Sequence, residues 1–444
     1  MNDDMWIREK LASLRTTPVP NPPPLGLPAR TNRSDQPPRQ HGRGTTRFRR
    51  SMFLVPALLL IATAASAGVI SAVRVALQNA EIHSSAGGVD YQAVLPVGQS
   101  GQRDIALLDT TSGSLRPLVE SPGDQFDPVW TPSGQWIYYT SVAGSDDIPA
   151  VWRVSYGPGT PQKGSSEQVS PDGLPAMAPL PSPDGAKIAF MSPADSGGGV
   201  ADVWVVDADG GDAHRLLDAR TAGLRDGFFV RGWSPDGQGI VGVVSRRSQN
   251  RLLELASLDL RGDLDVRESL PPVAPAGWVA MSAASQVLAY VGLDESDLSP
   301  QRLVLYVVNL KTWRLEAQWE APPDTEVAWP AWSPDGNTVA FVTNFGHPDE
   351  RCRDEGYTYP CPDLGIDVWS IDAAQPLALV SGPHAYAPFW TNPNELVFWR
   401  QDAQGTLGLW SVTLSTGDET ALVTHWEGDI AEESASVRSS NVGA

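Results

Sequence analysis

The sequence predicts an all-β protein, a β-propeller of four-stranded blades over residues 87–430. Two patterns recur along this region at intervals of about 50 residues. One is a tight turn preceded by an aromatic residue, and the other is a short apolar strand that ends in Asp or Asn in five of its seven copies. The chain also contains 41 Gly and 39 Pro between its apolar runs, as expected for many short strands joined by tight turns.

The turn pattern is clearest at residues 333–336, Ser-Pro-Asp-Gly. Pro334 presets the backbone angle of the first central position, and the Asp335 side chain can accept a hydrogen bond from the backbone two residues on. Gly336 accepts a left-handed conformation without steric cost. Trp332 precedes the turn and an apolar strand follows it, which indicates strand, turn, strand. Related turns stand at residues 131–134, 182–185, 234–237 and 391–394, and a degenerate copy at 282–285.

The strand pattern occurs seven times, so we expect seven blades. Six blades remain the alternative if the unit that starts near Asp90 folds onto a neighbour. Each copy follows another apolar strand and precedes a turn and a further short strand, which gives four strands for each unit. The copies lie at residues 104–109, 150–155, 202–207, 254–259, 304–309, 367–372 and 407–412.

The first unit has no turn-forming strand before it. An open ring would expose strand edges, so another segment must pair there. We expect the segment that follows the last blade, near residues 425–430, to complete the first blade. Residues 431–444 are polar and are predicted to form a flexible tail.

These repeats resemble the WD40-like (PD40) propeller repeats of the bacterial TolB family. The resemblance rests on the aromatic-Ser-Pro-Asp-Gly turn and on the strand at 202–211, Asp-Val-Trp-Val-Val-Asp-Ala-Asp-Gly-Gly. It covers roughly residues 87–424, and it implies an extracytoplasmic, non-enzymatic propeller that binds other proteins. The chain differs from TolB before the repeats, where TolB has a signal peptide and a small α/β domain.

Residues 51–73 are 23 residues without a charge, which is long enough for a transmembrane helix. The basic cluster before them, Arg43, Arg47, Arg49 and Arg50, predicts a cytoplasmic N-terminus and a propeller outside the cytoplasm. The alternative is a signal peptide cleaved after residues 65–67, Ala-Ser-Ala, which would release the protein.

The predicted cytoplasmic region, residues 1–50, is basic and rich in proline, and we expect it to be mostly disordered. Residues 74–86 are predicted to be a linker. The net charge of the chain is -20, and the first 50 residues carry ten Lys and Arg against four Asp and Glu. The remainder is therefore strongly acidic, which argues against a nucleic-acid partner.

Two cysteines, Cys352 and Cys361, are predicted to form a disulfide outside the cytoplasm. A metal site with His347 is the weaker alternative, because the ligand spacing is irregular. The cysteines enclose an aromatic insertion in the sixth unit, which is the best candidate for a binding loop. Its candidate contact residues are Arg353, Glu355, Tyr357 and Tyr359.

Residues 207–212 place three aspartates around a Gly pair, as a calcium loop does, but the downstream Glu of such a loop is missing. A β-hairpin turn is the simpler interpretation. The motifs of serine hydrolases, zinc proteases and nucleotide-binding enzymes do not occur in the sequence. We therefore predict no catalytic or metal-binding residue, no cofactor and no enzymatic activity.

The leading functional hypothesis is a membrane-tethered module of the bacterial envelope that binds a protein or a glycan. One alternative is a propeller hydrolase or lyase that uses acidic residues of the central channel, since such residues come from distant blades. Another is transmembrane signalling, in which a short helix within residues 1–17 holds a cytosolic regulator such as a sigma factor.

Overall fold

A computed structural model shows the architecture of the chain. It describes residues 91–98, 101–110, 113–143, 148–156, 166–193, 200–246, 253–274, 278–282, 284–293, 302–323, 325–344, 364–381, 384–402, 406–424 and 436–439. The predicted segments at 1–50, 51–73 and 74–86 lie outside these residues, as does the insertion at 345–363. None of the described residues belongs to a helix able to span a bilayer.

Within the described residues the regular elements are 28 β-strands. They are β1 (Tyr91–Val97), β2 (Asp104–Asp109), β3 (Leu115–Val119), β4 (Asp124–Trp130), β5 (Trp136–Val142), β6 (Pro149–Ser155), β7 (Glu167–Gln168), β8 (Met177–Pro181), β9 (Lys187–Pro193), β10 (Ala201–Asp207), β11 (His214–Leu217), β12 (Leu224–Trp233), β13 (Gly239–Arg246), β14 (Glu254–Asp259), β15 (Leu264–Val266), β16 (Val279–Ser282), β17 (Val287–Leu293), β18 (Leu303–Asn309), β19 (Arg314–Glu320), β20 (Val327–Trp332), β21 (Thr338–Thr343), β22 (Gly365–Ser370), β23 (Leu377–Val380), β24 (Ala385–Asn392), β25 (Glu395–Gln401), β26 (Leu407–Thr413), β27 (Glu419–Val423) and β28 (Ser436–Ser439).

The strands form antiparallel four-stranded units, which confirms the predicted all-β architecture with propeller-like sheets. The separate units are β4 to β7, β16 to β19, β20 to β23 and β24 to β27, each in chain order. Strands β8 to β11 and β12 to β15 make two further units, joined into one sheet by a parallel bridge between Ala201 and Gly227. A Cβ on Gly227 would lie 2.5 Å from the backbone nitrogen and oxygen of Ala201, so only glycine allows this approach.

The remaining unit combines the two ends of the described chain. Strand β28 pairs antiparallel with β1, with Tyr91 opposite Ser439, and β2 and β3 follow. A segment after the last unit therefore does complete the first one. The segment lies at Ser436–Ser439, whereas the sequence predicts residues 425–430. Strand β27 is an outermost strand and β28 an innermost one, so about 15 Å, or three strand spacings, separates them. The residues needed to cover this distance explain why the pairing comes later in the chain.

The innermost strands of the units form a closed ring. They are β28, β4, β8, β12, β16, β20 and β24, and each contacts the next, with β24 returning to β28. Tryptophans at the ends of these strands tie neighbours together through backbone carbonyls. The Nε1 of Trp233 donates to Leu180 at 2.9 Å, and that of Trp390 donates to Ala331 at 3.0 Å. These tryptophans thus pack between neighbouring sheets.

The Ser-Pro-Asp-Gly turns have the predicted conformation. Gly185 has a φ of 69°, and its N–H donates to the Ser182 carbonyl at 2.8 Å. The Asp184 carboxylate accepts from the Ala186 N–H, two residues on, and also from the Ser182 hydroxyl at 2.6 Å. The hydrogen bond that serine donates explains why Ser precedes Pro in these turns. The sequence alone assigns no role to this serine.

Candidate functional site

The candidate site is the wall made by the innermost strands, because a propeller offers a ring of strand ends from different units at one place. Strands β4, β8, β20 and β24 share a local distortion. In each, the pairing with the next strand shifts register at a residue with a left-handed φ, and that residue precedes a proline. The residues are Asp127 (53°), Ala178 (54°), Trp329 (45°) and Ala387 (48°).

This distortion is costly in isolation, since left-handed φ values are uncommon outside glycine. Strain of this kind often marks a functional site. Its recurrence in four units shows that here it is a β-bulge required by the fold. The bulge position, defined as these four residues, therefore displays side chains as different as Asp, Trp and Ala on a common backbone.

Asp127 is the polar residue at the bulge position, and it is 4% exposed. Its Oδ2 accepts a hydrogen bond from the Thr140 hydroxyl at 3.2 Å. The Thr140 oxygen in turn accepts from the backbone N–H of Ala178, on the neighbouring unit, at 3.2 Å. Burial raises the pKa of the Asp127 carboxyl to about 7, although Arg103 and the hydrogen bonds act in the opposite direction. The group can therefore gain or lose a proton near neutral pH.

Arg103 lies beside this carboxyl but is held by another one. Its Nη2 and Nε contact the two oxygens of Asp124 at 2.6 and 2.9 Å, and both side chains are less than a fifth exposed. The guanidinium carbon lies 4.8 Å from the centre of the Phe126 ring. This bidentate pair neutralises Asp124, and the charge of Arg103 also favours the ionised form of Asp127, ahead of the hydrogen bonds.

Arg231 is a second buried ionisable residue of the ring. On β12 the register shifts between Val230 and Gly232, so that Arg231 stands at a bulge. The residue is 2% exposed, its Nη1 donates to the Val230 carbonyl at 3.2 Å, and its guanidinium carbon lies 6.0 Å from the Phe229 ring centre. Burial lowers the pKa of this guanidinium to about 9.

The other side of the ring is aromatic. The rings of Trp278 and Trp329 have centroids 4.6 Å apart, and those of Trp329 and Tyr386 are 6.3 Å apart. These residues come from three successive units, and each is at most 9% exposed. They fill the seams between the units as an apolar core does.

The residues predicted as a binding site lie elsewhere in the chain. Cys352, Cys361, Arg353, Glu355, Tyr357 and Tyr359 lie outside the described residues. Residues 207–212 join β10 to β11 as an antiparallel hairpin, and Asp207 contacts the Lys187 ammonium at 2.7 Å. Sequence reasoning missed Asp127 and Arg231. The signal for Asp127 was available, because an X-Pro pair precedes the turn aromatic by the same spacing in Asp127-Pro128, Trp329-Pro330 and Ala387-Pro388.

Comparison with known proteins gives structural similarity without a family assignment. No family model matches the chain, and no curated protein matches its sequence. TolB from Acinetobacter baumannii is similar in structure, with 14% identity and a TM-score of 0.43 over 79% of this chain and 65% of TolB. Oligogalacturonate lyase in complex with manganese has 13% identity and a TM-score of 0.48 over 77% of this chain and 87% of the lyase.

A puromycin hydrolase has 14% identity and a TM-score of 0.50 over 79% of this chain, which spans 55% of the hydrolase. The prediction that the protein is not an enzyme is therefore wrong, because enzymes share this fold and the missing motifs do not exclude an activity. At such identities the likeness concerns the fold alone. The chain has a β-propeller fold, as the repeats predict.

Proposed function

We propose that the chain is a seven-bladed propeller, tethered to a membrane by residues 51–73, that binds a protein or a glycan outside the cytoplasm. The observation that carries the proposal is the closed ring of innermost strands, completed by β28 on β1. Seven four-stranded units contribute to it, which supports seven blades over six. A ring of this kind is a rigid scaffold for loops that recognise a partner.

The location rests on the sequence. Residues 51–73 carry no charge, and the arginines before them favour a cytoplasmic N-terminus. Labelling the intact cell with a membrane-impermeant reagent tests this. Propeller lysines should react from outside, and a mature protein that starts at Gly68 would contradict the tether.

The proposed contact surface is the insertion between β21 and β22, with Tyr357 and Tyr359 as its aromatic contacts. Tyrosine supplies a large contact area together with a hydrogen-bonding hydroxyl, and loops of this type suit recognition of proteins and glycans. A disulfide between Cys352 and Cys361 would limit the conformations of this loop. Thiol titration of the unfolded, unreduced protein should detect no free thiol, and two free thiols would contradict the bridge.

The test of binding uses the full-length protein in detergent as the bait for envelope extracts and for glycan arrays. We expect a ligand retained by the wild type to be lost from the double variant Tyr357→Ala, Tyr359→Ala. Leu377→Ala is the matched control, because it removes an exposed apolar side chain (69% exposed) from the same four-stranded unit. Equal retention by all three proteins would contradict the assigned surface.

The second candidate is a hydrolase or lyase that uses acidic residues of the inner ring. The observation that favours it is Asp127, since a carboxyl with a pKa of about 7 is suited to general acid and base catalysis at neutral pH. An activity screen against peptides and acidic oligosaccharides tests it. Turnover that Asp127→Asn abolishes would support this candidate, and turnover unchanged in the variant would exclude Asp127 from the chemistry.

A further inference from the structure

The seam between β4 and β8 joins two neighbouring units by a polar contact. Asp127 lies on β4, Thr140 on β5 of the same unit, and Ala178 on β8 of the next. Thr140 is fully buried, and its hydroxyl both donates to Asp127 and accepts from the Ala178 N–H. The bulge residues of the two units, Asp127 and Ala178, therefore meet through one hydroxyl group.

The charged surroundings of Asp127 come from few elements. Strand β4 itself carries Asp124, and Arg103 precedes β2, whose first residue is Asp104. Residues 177–181 of β8 and 93–97 of β1 carry no ionisable side chain, and β5 contributes only Tyr138 and Tyr139 within the buried wall. The side chains of β28 are not described. Among the residues whose side chains are described, Arg103 is the cation that acts on Asp127, and it is also bound to Asp124.

We propose that the β4–β8 seam is a proton-sensitive joint of the ring, closed when the Asp127 carboxyl is protonated and loosened when it is ionised. An ionised carboxylate at this depth loses hydration that the charge of Arg103 and hydrogen bonds from Thr140 and the Ala178 N–H replace only in part. Ionisation therefore favours local opening, in which β4 and β8 separate enough to hydrate the charge and the proton passes to water. The effect concerns one seam and leaves the aromatic seams unchanged.

Hydrogen exchange of the full-length protein tests the joint, after correction for the intrinsic pH dependence of exchange. Between about pH 5 and about pH 9, we expect protection of wild-type peptides from β4 and β8 to fall at least about tenfold, since opening is linked to one proton. Asp127→Asn should abolish this fall. Peptides from β20 and β24 serve as the internal control and should show none.

Two neighbouring substitutions should move the midpoint of this fall in opposite directions. Arg103→Met removes the positive charge near Asp127 and raises the pKa of its carboxyl in the closed joint, so the fall should continue to higher pH and be larger. Asp124→Asn removes a negative charge and releases Arg103, which lowers that pKa, so the fall should end at lower pH and be smaller. Both proteins keep Asp127, so they remain informative if Asp127→Asn does not fold.

The proposal is overturned if wild type and Asp127→Asn show the same pH dependence. It is also overturned if Arg103→Met and Asp124→Asn leave the midpoint unchanged or shift it in the same direction. Loss of protection that is equal in all seams would indicate global unfolding and would likewise contradict a local joint.

Discussion

Asp127 and Trp329 occupy the same bulge position in two different units of the ring. Both have a left-handed φ, both precede proline, and both are almost fully buried. Their surroundings differ in kind: Asp127 meets a hydroxyl and a backbone N–H, whereas Trp329 lies between Trp278 and Tyr386. The backbone of the bulge is therefore fixed by the fold, and the chemistry of each seam is set by one side chain.

The comparison separates two properties of a repeat protein. An aromatic seam is stabilised by buried apolar area, which depends little on pH. A seam that contains a carboxyl is stabilised only when the carboxyl is in its favoured protonation state. Equivalent positions of one ring can therefore respond differently to the same solution conditions.

The largest effect is expected for Trp329→Ala. Truncating a buried tryptophan removes its packing and leaves a cavity, so we expect a loss of about 3 to 5 kcal/mol in the free energy of unfolding, measured in urea. Ala178 and Ala387 show that the bulge backbone accepts alanine. Trp313→Ala is the matched control, because Trp313 also has a left-handed φ but is only half-buried beside Arg267. An equal loss in both variants would contradict the importance of the aromatic seam.

Asp127→Asn should sharpen the comparison by removing the pH dependence of its seam. Because the folded-state pKa is raised from 3.8 to about 7, the folded protein binds the proton more tightly than the unfolded chain. The contribution of Asp127 to the stability of the wild type is therefore greatest below pH 3.8, falls up to about pH 7 and is constant above.

At about 1.4 kcal/mol for each pKa unit, this fall amounts to about 4 kcal/mol at most. We expect urea unfolding to give the variant and the wild type similar stability near pH 4, and the variant the higher stability near pH 8. A variant less stable than the wild type at both pH values would show that the ionised carboxyl is well accommodated.

Gly227→Ala tests the seam in which β12 closely approaches β10 of the preceding unit. The added Cβ would clash with the backbone of Ala201, so we expect a loss of about 2 to 4 kcal/mol in the free energy of unfolding. Gly223→Ala is the control. Gly223 also has a positive φ, but no atom lies within 4 Å of its Cβ position, so only the backbone strain of about 1 kcal/mol should remain. Similar losses in the two variants would contradict the close approach.

The smallest change in the free energy of unfolding is expected for Asp184→Asn, and its pH dependence is opposite to that of Asp127→Asn. The Ser182 hydroxyl and the Ala186 N–H lower the pKa of the Asp184 carboxyl. Its stabilisation is therefore present above pH 3.8 and is lost as the pH falls. We expect the variant to lose about 1 kcal/mol near pH 7 and nothing in acid, by urea unfolding at both pH values. Asp236→Asn should behave in the same way, since Ser234 plays the same part there.

The turns and the order of the strands could be predicted because they depend on local chemistry. Pro, Asp and Gly at fixed offsets determine a turn without help from distant residues. The environment of Asp127 could not be predicted in this way, since Ala178 and Arg103 reach it from other units. The prediction of no enzymatic activity failed for a related reason, because ring residues that could act together are far apart in sequence and form no motif.

The pairing of β28 with β1 has a consequence for how the chain acquires its structure. Strand β1 is made early and its partner about 350 residues later, as the register of Tyr91 with Ser439 requires. Contacts so distant in sequence form slowly, because the entropy of closing the loop is lost before the contacts stabilise it. Each central unit can assemble from neighbouring residues while the chain is still being synthesised. The first unit must keep the edge of β1 unpaired until the last strand emerges, so that edge is the part of the folding chain most exposed to aggregation and to binding by chaperones.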